Sequence, residues 1–302
     1  MKDKNVSVIV SCYNRDDIVE KCINHLLELE YKYGDFEIIA VNDGSTDNTG
    51  NILEKYKKDI ILIHHLENRG LAAARNSGIK QAKYDLLVFL DCDMVVDRNW
   101  LNVFVEEISK DDNIIGVFGN NQYPFDLSKA SKYTKYLYSK NRGARKFGEG
   151  VPIYYKYFLF NNTIIKKIAF EKAGYFDESI GYYGEDTDMS LRIWKYFPDG
   201  FRFSFRAYSL HYHFRELDDM EKTMYFYGYN KLPLLGKKHP EFKKDFGITL
   251  ADSFYGGFLF NIFFINLSKI FLKIVPYPVS NFFIKFVMSA SAFRGYRKAK
   301  KK

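Results

Sequence analysis

Cysteine is scarce in this chain, with only three among 302 residues. Cys12, Cys22 and Cys92 lie far apart, and no pair has the Cys-x-x-Cys spacing of redox and zinc motifs. We therefore expect reduced thiols and exclude a small disulfide-framed fold, a pattern typical of cytoplasmic proteins. Residues 1–4 directly precede a predicted strand, so we also expect no secretory signal in this sequence.

Long uncharged hydrophobic runs are missing as well. The longest, residues 253–268, has sixteen residues and is interrupted by Asn261 and Asn266. A membrane-spanning helix needs about 20 apolar residues. The run is therefore too short to predict a membrane span, although residues 225–293 are dense in aromatic and aliphatic side chains.

The C-terminal region combines these apolar segments with positive charge. Six of the last nine residues are basic, and Lys269, Lys273 and Lys285 follow or interrupt apolar turns. We predict a helical extension over residues 216–302 that binds anionic lipid at the inner face of the cell membrane. The alternative is a homodimer interface with a disordered tail. The net charge of +8 also suits nucleic acid, but no recognition module accompanies it, and we expect no nucleic-acid partner.

Two short apolar runs near the N-terminus have the β-branched composition of strands buried on both faces of a sheet. They are residues 6–11 and 36–41. Between them, apolar residues from Ile18 to Leu27 repeat on one helical face, with Asn14 or Asp16 as the predicted N-cap. Strand, helix and strand in this order predict a right-handed crossover, whose ligands bind at the carboxyl ends of the strands.

Acidic residues follow two of the predicted strands. Asp43 comes after the second strand, and its alternative role is that of a turn residue before Gly44. Asp91 and Asp93 end the apolar run LLVFLDCD. Two carboxylates at this spacing suit a divalent cation bound together with substrate phosphates, although a solvated turn would have the same residues.

A second acidic pair, Glu185 and Asp186, opens a predicted helix whose apolar residues repeat at four-residue spacing. Acidic residues in a first helical turn are favoured by the macrodipole alone. Gly181 and Gly184 precede the pair, however, and a glycine-containing loop lets a substrate approach the backbone closely. The pair is therefore a candidate for catalysis as well as for simple capping.

Five segments occur in a fixed order: SVIVSCYNR, VNDGSTDNT, ENRGLAAARNSGI, FLDCDMVVD and GYYGEDTDMSLR. Together they resemble the family 2 glycosyltransferases, enzymes of the GT-A fold that take sugar from a nucleotide-diphosphate donor. The resemblance covers residues 5–215. FNNTIIKK, AGYFDES and HYH are most similar to the branch with a galactosyltransferase-type C-terminal half of the catalytic domain.

The resemblance implies how the nucleotide-sugar donor is bound. Asp43 would hydrogen-bond the base, most often uracil, with Tyr13 and Asn14 beside it. Arg75, at the start of a small-residue helix, would reach the donor; its alternative is a surface arginine on a tightly packed helix. Asp91 would contact the ribose or the sugar.

The resemblance also implies a cation site and a base. Asp93, with Asp91, would hold Mn²⁺ or Mg²⁺, and His211 would be the third protein ligand. His211 and His213 alternate at a predicted strand end, so we expect only one of them to face the cation. Imidazole ligation favours Mn²⁺ over Mg²⁺. Asp186 would be the general base, with Glu185 beside it.

We therefore predict an α/β GT-A domain over residues 1–215, with a mostly parallel central sheet flanked by helices. Its predicted function is inverting transfer of a sugar, most often from a UDP-sugar, to a glycan or lipid-linked acceptor. The alternatives are a non-catalytic membrane-associated nucleotide-sugar binding protein and a sugar nucleotidyltransferase. The second would need a glycine-rich basic triphosphate loop, which SCYNRDD is not.

Overall fold

The computed structural model describes residues 4–181 and 183–302. The chain divides into two compact units. Unit 1 runs from the start of the described chain to Pro124 and from Lys140 to His213, and unit 2 contains Phe125–Ser139 and Phe214–Lys302. The sequence placed the boundary at residue 215, close to the change at His213, but it assigned residues 125–139 to the catalytic part.

Eight strands form one sheet in unit 1. In chain order they are β1 (Val6–Cys12), β2 (Phe36–Asn42), β3 (Ile61–His64), β4 (Leu86–Asp91), β5 (Met94–Val95), β6 (Gly116–Gln122), β7 (Asn162–Lys166) and β8 (Phe201–His211). The spatial order is β3-β2-β1-β4-β7-β6-β8-β5. The predicted strands at residues 6–11 and 36–41 are confirmed, each one residue longer than expected.

Among the described residues the sheet is mixed: four of its seven strand pairings are parallel, in agreement with the expected mostly parallel sheet, and three are antiparallel. The strands from β3 to β4 are parallel to one another. Beyond β4 the direction changes, because β7 pairs antiparallel with both β4 and β6, and β5 pairs antiparallel with β8. β6 and β8 are again parallel. The sequence pattern identifies buried strands, but their direction depends on how the chain returns to the sheet.

In the part of the chain that the structure describes, seven α-helices occur between β1 and β8 in sequence. They are α1 (Val19–Leu27), α2 (Thr49–Glu54), α3 (Leu71–Gln81), α4 (Trp100–Ile108), α5 (Lys132–Leu137, in unit 2), α6 (Ile168–Ala173) and α7 (Glu185–Tyr196). Short 3₁₀ turns lie at Leu127–Lys129, Gly143–Lys146 and Tyr155–Tyr157. α3 approaches β1 closely, since a Cβ at Gly78 would overlap the Ile9 side chain. The small-residue run therefore serves close packing, as the sequence indicated.

The predicted cap of α1 is wrong. The N-cap residue is Ile18, which makes no side-chain capping hydrogen bond. The Asn14 and Asp16 side chains instead accept hydrogen bonds from the backbone N–H groups of Thr46 and Asn48, at 2.8 and 3.3 Å. They tie the loop after β1 to the loop after β2, a long-range partner that local capping preference does not consider.

Six further α-helices are described after β8, all of them in unit 2. They are α8 (Leu217–Asn230), α9 (Leu232–Lys238), α10 (Ile248–Asp252), α11 (Phe254–Leu259), α12 (Ile262–Ile274) and α13 (Ser280–Lys300), with a 3₁₀ turn at Pro240–Phe242. α13 packs against α8 and α12, where its Gly295 lies directly on the α8 backbone. None of the described helices combines the length and the apolar character that crossing a lipid bilayer would require.

Candidate functional site

Strand register brings the predicted site residues to one edge of the sheet. Ser11 on β1 lies opposite Asp91 on β4, and Cys12 lies opposite Asn42 on β2. The loops that follow these parallel strands therefore begin side by side at the same edge of the sheet. This is the edge where open α/β sheets bind ligands.

Asp93, His211 and His213 form a cluster at this edge. One ligand atom from each residue lies within 4.8 Å of the others. His211 Nε2 is 3.5 Å from Asp93 Oδ1, and His213 Nδ1 is 3.1 Å from Asp93 Oδ2. β5 holds the cluster together, because Met94 pairs with His211 directly after Asp93.

Both histidines face Asp93, so the expectation of only one is wrong. β8 ends at His211, and His213 lies two residues later in an extended loop. The alternation of side chains across a strand no longer applies beyond its last paired residue. The Tyr212 N–H donates to the Asp93 carbonyl at 2.8 Å, which holds this loop next to the carboxylate.

The cluster has the donor set of a divalent-cation site. Among the described residues, Asp93 Oδ1 is buried without a hydrogen-bond partner, as an oxygen awaiting a ligand would be. Burial alone would raise the pKa of Asp93, but the adjacent imidazoles of His211 and His213 and the charge of Arg15 hold this pKa well below its usual range. The carboxylate is therefore ionised at neutral pH. One carboxylate with two imidazoles suits a transition-metal ion such as Mn²⁺ better than Mg²⁺.

A second charged group surrounds Arg75, whose side chain is only 2% exposed. Its Nη1 lies 2.5 Å from Asp186 Oδ1 and 3.6 Å from Glu185 Oε1, and its Nη2 lies 3.7 Å from Asp91 Oδ1. The rings of Phe160 and Phe176 lie 6.0 and 5.4 Å from the guanidinium carbon. The alternative of a surface arginine is therefore wrong.

Asp91 belongs to this arginine group and lies outside the described cluster of Asp93 and the histidines. Burial raises the pKa of Asp91; Arg75 opposes this rise, and the carboxylates of Asp93 and Asp186 add to it. The two aspartates of the Asp-x-Asp segment therefore sit in different electrostatic surroundings. Arg75 connects Asp91 to the start of α7.

Glu185 and Asp186 open α7, as the sequence predicted, with Gly184 as the N-cap. Their side chains differ in exposure: 18% for Asp186 and 4% for Glu185. Burial, with the charge of Asp186 added, raises the pKa of Glu185 to about 7 although Arg75 opposes it. Glu185 Oε2 has no hydrogen-bond partner among the described residues. Asp186 is thus the more solvent-accessible carboxylate of the pair.

Asp43 is buried and bound to one loop. Its Oδ1 accepts from the Arg69 N–H at 3.0 Å and lies 2.6 Å from His65 Nδ1, and its Oδ2 accepts from the Gly70 N–H at 2.8 Å. His65 Nε2 in turn lies 2.9 Å from Ser77 Oγ. The carboxylate thus orders the segment that leads into α3. A carboxylate has about four acceptor positions, so one is still available to a base.

Tyr13 and Asn14 directly follow the end of β1. The Tyr13 side chain is exposed, as stacking on a base would require. Asn14 has a positive φ of 48°, and its N–H donates to Ser45 Oγ at 3.1 Å. The described contacts of Asn14 are thus structural, and its predicted contact with the donor stays a prediction.

Sequence reasoning missed two residues of this edge. Arg15 binds Asp93 at 2.7 Å, and His65 binds Asp43. Both carry a signal that can be used: Arg15 follows the end of β1, and His65 directly follows β3. Any polar residue just beyond the carboxyl end of a parallel strand is a candidate for the same site.

Comparison with known sequences identifies relatives of this chain. A profile described as glycosyl transferase family 2 matches residues 7–169. The poly-beta-1,6-N-acetyl-D-glucosamine synthase of Staphylococcus aureus (strain MSSA476) is 32% identical over 209 residues, which are 68% of this chain and 49% of the synthase. The chain thus spans about half the length of the curated relatives that it matches.

Two solved structures have a similar fold. The mannosyltransferase PcManGT from Pyrobaculum calidifontis, in complex with GDP-Man and Mn²⁺, aligns with a TM-score of 0.63 and 17% identity, over 97% of this chain and 87% of PcManGT. S. aureus TarS 1-349 in complex with UDP aligns with a TM-score of 0.52 and 18% identity, over 98% of this chain and 90% of TarS 1-349. At these identities the likeness shows the fold alone.

Proposed function

This chain belongs to glycosyl transferase family 2, and from this membership we propose an inverting glycosyltransferase that transfers sugar from a nucleotide-diphosphate donor to a glycan or lipid-linked acceptor. The observation that carries the proposal is that a candidate cation site and a group of carboxylates around Arg75 lie at the same edge of the sheet. Asp93 with its histidines can hold a cation, and Asp186 lies at the start of α7, connected to Asp91 through Arg75.

Asp186 is the proposed general base. It would accept the proton of the acceptor hydroxyl as that oxygen bonds to the anomeric carbon. The bond from this carbon to the diphosphate breaks in the same step, and its electron pair leaves with the nucleoside diphosphate. A single displacement inverts the anomeric configuration. General-base help of this kind contributes about 10²–10⁴ in rate.

Each other residue of the group has its own task. Glu185, protonated or ionised near neutral pH, sets the charge around Asp186, and Arg75 fixes the direction of the Asp186 carboxylate. Asp93, His211 and His213 would hold a divalent cation, with Asp91 close to the sugar or the ribose. When bound, this cation stabilises the negative charge of the leaving diphosphate.

UDP is the proposed nucleotide. Asp43 would accept a hydrogen bond from the uracil ring N–H, and the exposed Tyr13 would flank the ring. The TarS complex with UDP supports this choice, whereas PcManGT binds GDP-Man on a similar fold. The curated relatives are named as polysaccharide synthases, which supports a role in cell-surface polysaccharide or glycoconjugate assembly. A non-catalytic binding protein would have no need for Asp186 beside Arg75.

The deciding experiment is a panel of nucleotide sugars screened by thermal shift with Mn²⁺, followed by measurement of nucleotide release. A donor at 100 times its dissociation constant adds about 2.7 kcal/mol to the stability of the protein. We expect UDP-sugars to stabilise the protein and to be consumed, while excess chelator or Asp93→Ala stops turnover. Stabilisation without any turnover would favour the non-catalytic alternative. Full turnover in excess chelator would refute the proposed metal dependence.

Unit 2 is proposed to attach the enzyme to the anionic inner face of the cell membrane. Large apolar side chains are exposed along α11, α12 and the start of α13; Phe254 is 84% and Phe282 is 70% exposed. Lys273 and Lys285 are exposed on the same stretch of chain. Apolar side chains with a cationic border bind anionic lipid surfaces. A homodimer through the same helices is the competing proposal.

Flotation with vesicles separates these two proposals. Full-length protein should float with phosphatidylserine-containing vesicles, and high salt should release only part of it, because salt screens charge but leaves apolar insertion. Phe254→Ser with Phe282→Ser should abolish flotation. A matched control, Tyr196→Ser, changes an exposed aromatic residue of unit 1. A protein that does not float with vesicles and sediments as a dimer would support the homodimer interface instead.

A further inference from the structure

The guanidinium of Arg15 occupies the edge of the Asp93 cluster. Its Nη1 lies 2.7 Å from Asp93 Oδ2 and 3.4 Å from His213 Nδ1. Nη2 donates to the Tyr212 carbonyl at 3.3 Å. Two of the residues proposed to hold a cation are therefore already in contact with a positive charge from this chain.

The other side of Arg15 is held in place. Asp17 Oδ1 lies 3.0 Å from Nε, and Asp17 Oδ2 lies 3.3 Å from Nη2. The Arg15 N–H donates to Thr49 Oγ1 at 2.7 Å, which fixes the backbone against the start of α2. Arg15 thus has two carboxylate partners: the exposed Asp17 and the buried Asp93.

In this arrangement Arg15 supplies the positive charge that the buried Asp93 carboxylate needs. A buried carboxylate needs a counter-charge, and an arginine can supply it as readily as a metal ion. Arg15 is bound to Asp93 Oδ2, whereas Oδ1 is the oxygen without a hydrogen-bond partner among the described residues. A divalent cation on Oδ1 and His213 would therefore repel the guanidinium held on the same carboxylate. Asp17 would keep a displaced Arg15 close by, with guanidinium N–H groups free for another anion.

We propose that Arg15 competes with the cation for Asp93 and that a nucleoside diphosphate relieves this competition. On nucleotide binding, the guanidinium exchanges Asp93 for diphosphate oxygens, which match its planar donors. The cation then takes its place beside Asp93 and the histidines. This inference rests on the proposed function, and it makes metal and nucleotide bind cooperatively. Cation binding to the nucleotide-free protein is correspondingly weak.

Mn²⁺ binding, followed by electron paramagnetic resonance of the free ion and by calorimetry, tests the proposal. Wild type should bind Mn²⁺ weakly alone and about 5–150-fold more tightly with saturating UDP, the usual range of coupling between sites. Arg15→Gln removes the competing charge but keeps a hydrogen-bond donor. Without UDP it should bind Mn²⁺ about tenfold more tightly than wild type, and the further tightening caused by UDP should be about tenfold smaller than in wild type, because only the direct contact between cation and diphosphate remains.

Two further variants serve as controls. Arg15→Lys keeps the charge and should return the coupling toward that of wild type. Arg98→Gln changes another arginine that pairs with two carboxylates, Glu28 and Glu30, at 3.3 and 3.4 Å. Arg98 is far more exposed than Arg15. The Arg98→Gln variant should therefore bind Mn²⁺ as wild type does. Circular dichroism and melting temperature establish that each variant is folded.

The outcomes distinguish this inference from the proposed function. If Arg15→Gln binds Mn²⁺ as weakly as wild type and keeps the same response to UDP, Arg15 does not compete and the inference fails alone. If UDP stabilises every variant but none of them takes up Mn²⁺, the cation site and the inference both fail while the nucleotide site stands. If UDP has no effect on any variant, the proposed UDP site fails, and the panel of nucleotide sugars then decides whether the proposed function fails with it.

Discussion

Arg75 and Arg15 neutralise carboxylates at the same sheet edge in different ways. Arg75 is 2% exposed and faces Asp91, Glu185 and Asp186 at once, with the rings of Phe160 and Phe176 nearby. Arg15 is 19% exposed and divides its contacts between Asp93 and the exposed Asp17. The difference indicates that Arg75 is a fixed part of the fold, whereas Arg15 has a second, exposed carboxylate partner, Asp17, that could retain it if it left Asp93.

Substitution of the buried Arg75 should have the largest effect, a loss in the free energy of unfolding. Arg75→Leu should destabilise the protein by about 3–5 kcal/mol, because it leaves buried carboxylates without their counter-charge. Urea denaturation at pH 8 measures the change, which should be smaller at pH 5, where Asp91 and Glu185, whose pKa values burial raises, can protonate. Arg98→Leu, which breaks only exposed ion pairs, should cost about 0–1 kcal/mol. Equal effects of both substitutions would contradict the structural role of Arg75.

Removal of the proposed base should affect turnover rather than donor binding. Asp186→Asn keeps the shape of the side chain but cannot accept a proton, so transfer should fall by about 10²–10⁴ with nearly unchanged donor affinity. Steady-state kinetics and calorimetry with donor measure the two quantities. Glu185→Gln should cost less. The anomeric configuration of the product, read by NMR, should be inverted; near-normal transfer by Asp186→Asn would give the role to another carboxylate.

Base recognition by Asp43 should have a moderate effect. Asp43→Ala should weaken UDP binding by about 1–3 kcal/mol, the cost of an unsatisfied donor in a buried site. Because Asp43 also holds the Arg69 and Gly70 N–H groups, its melting temperature must be measured in parallel. Glu67→Ala, at an exposed position of the same loop, is the control for charge. Stronger competition by GDP than by UDP would overturn the uracil assignment.

The smallest effect is a pH dependence at Glu185. Its pKa in the folded state is about 7, above the ordinary value of 4.5. The folded protein therefore holds this proton more tightly than the unfolded chain, and the stability that it confers is lost as pH rises from about 4.5 to about 7. Glu185→Gln should flatten the decline in free energy of unfolding between pH 5 and pH 8. An unchanged slope would remove Glu185 as its cause.

Much of the site could be predicted because local pattern and strand order carry it. Asp43, Asp91 and Asp93 follow buried apolar strands, and parallel register places the ends of β1, β2 and β4 together. Glu185 and Asp186 open α7 where the sequence placed them. The cap of α1 was predicted wrongly, since Asn14 and Asp16 bond to a loop 32 residues away instead of to the helix.

The sequence by itself determined the first buried strands, the start of α7 and the family, because these depend on periodicity, composition and the order of segments. Only the tertiary structure decided which charges meet. Arg75 and Asp186 are 111 residues apart, and Asp93 lies 78 residues from Arg15 and 120 from His213. An ion pair forms where strand direction, loop length and packing bring two side chains within a few ångströms, and none of these distances is encoded in the residues near either partner.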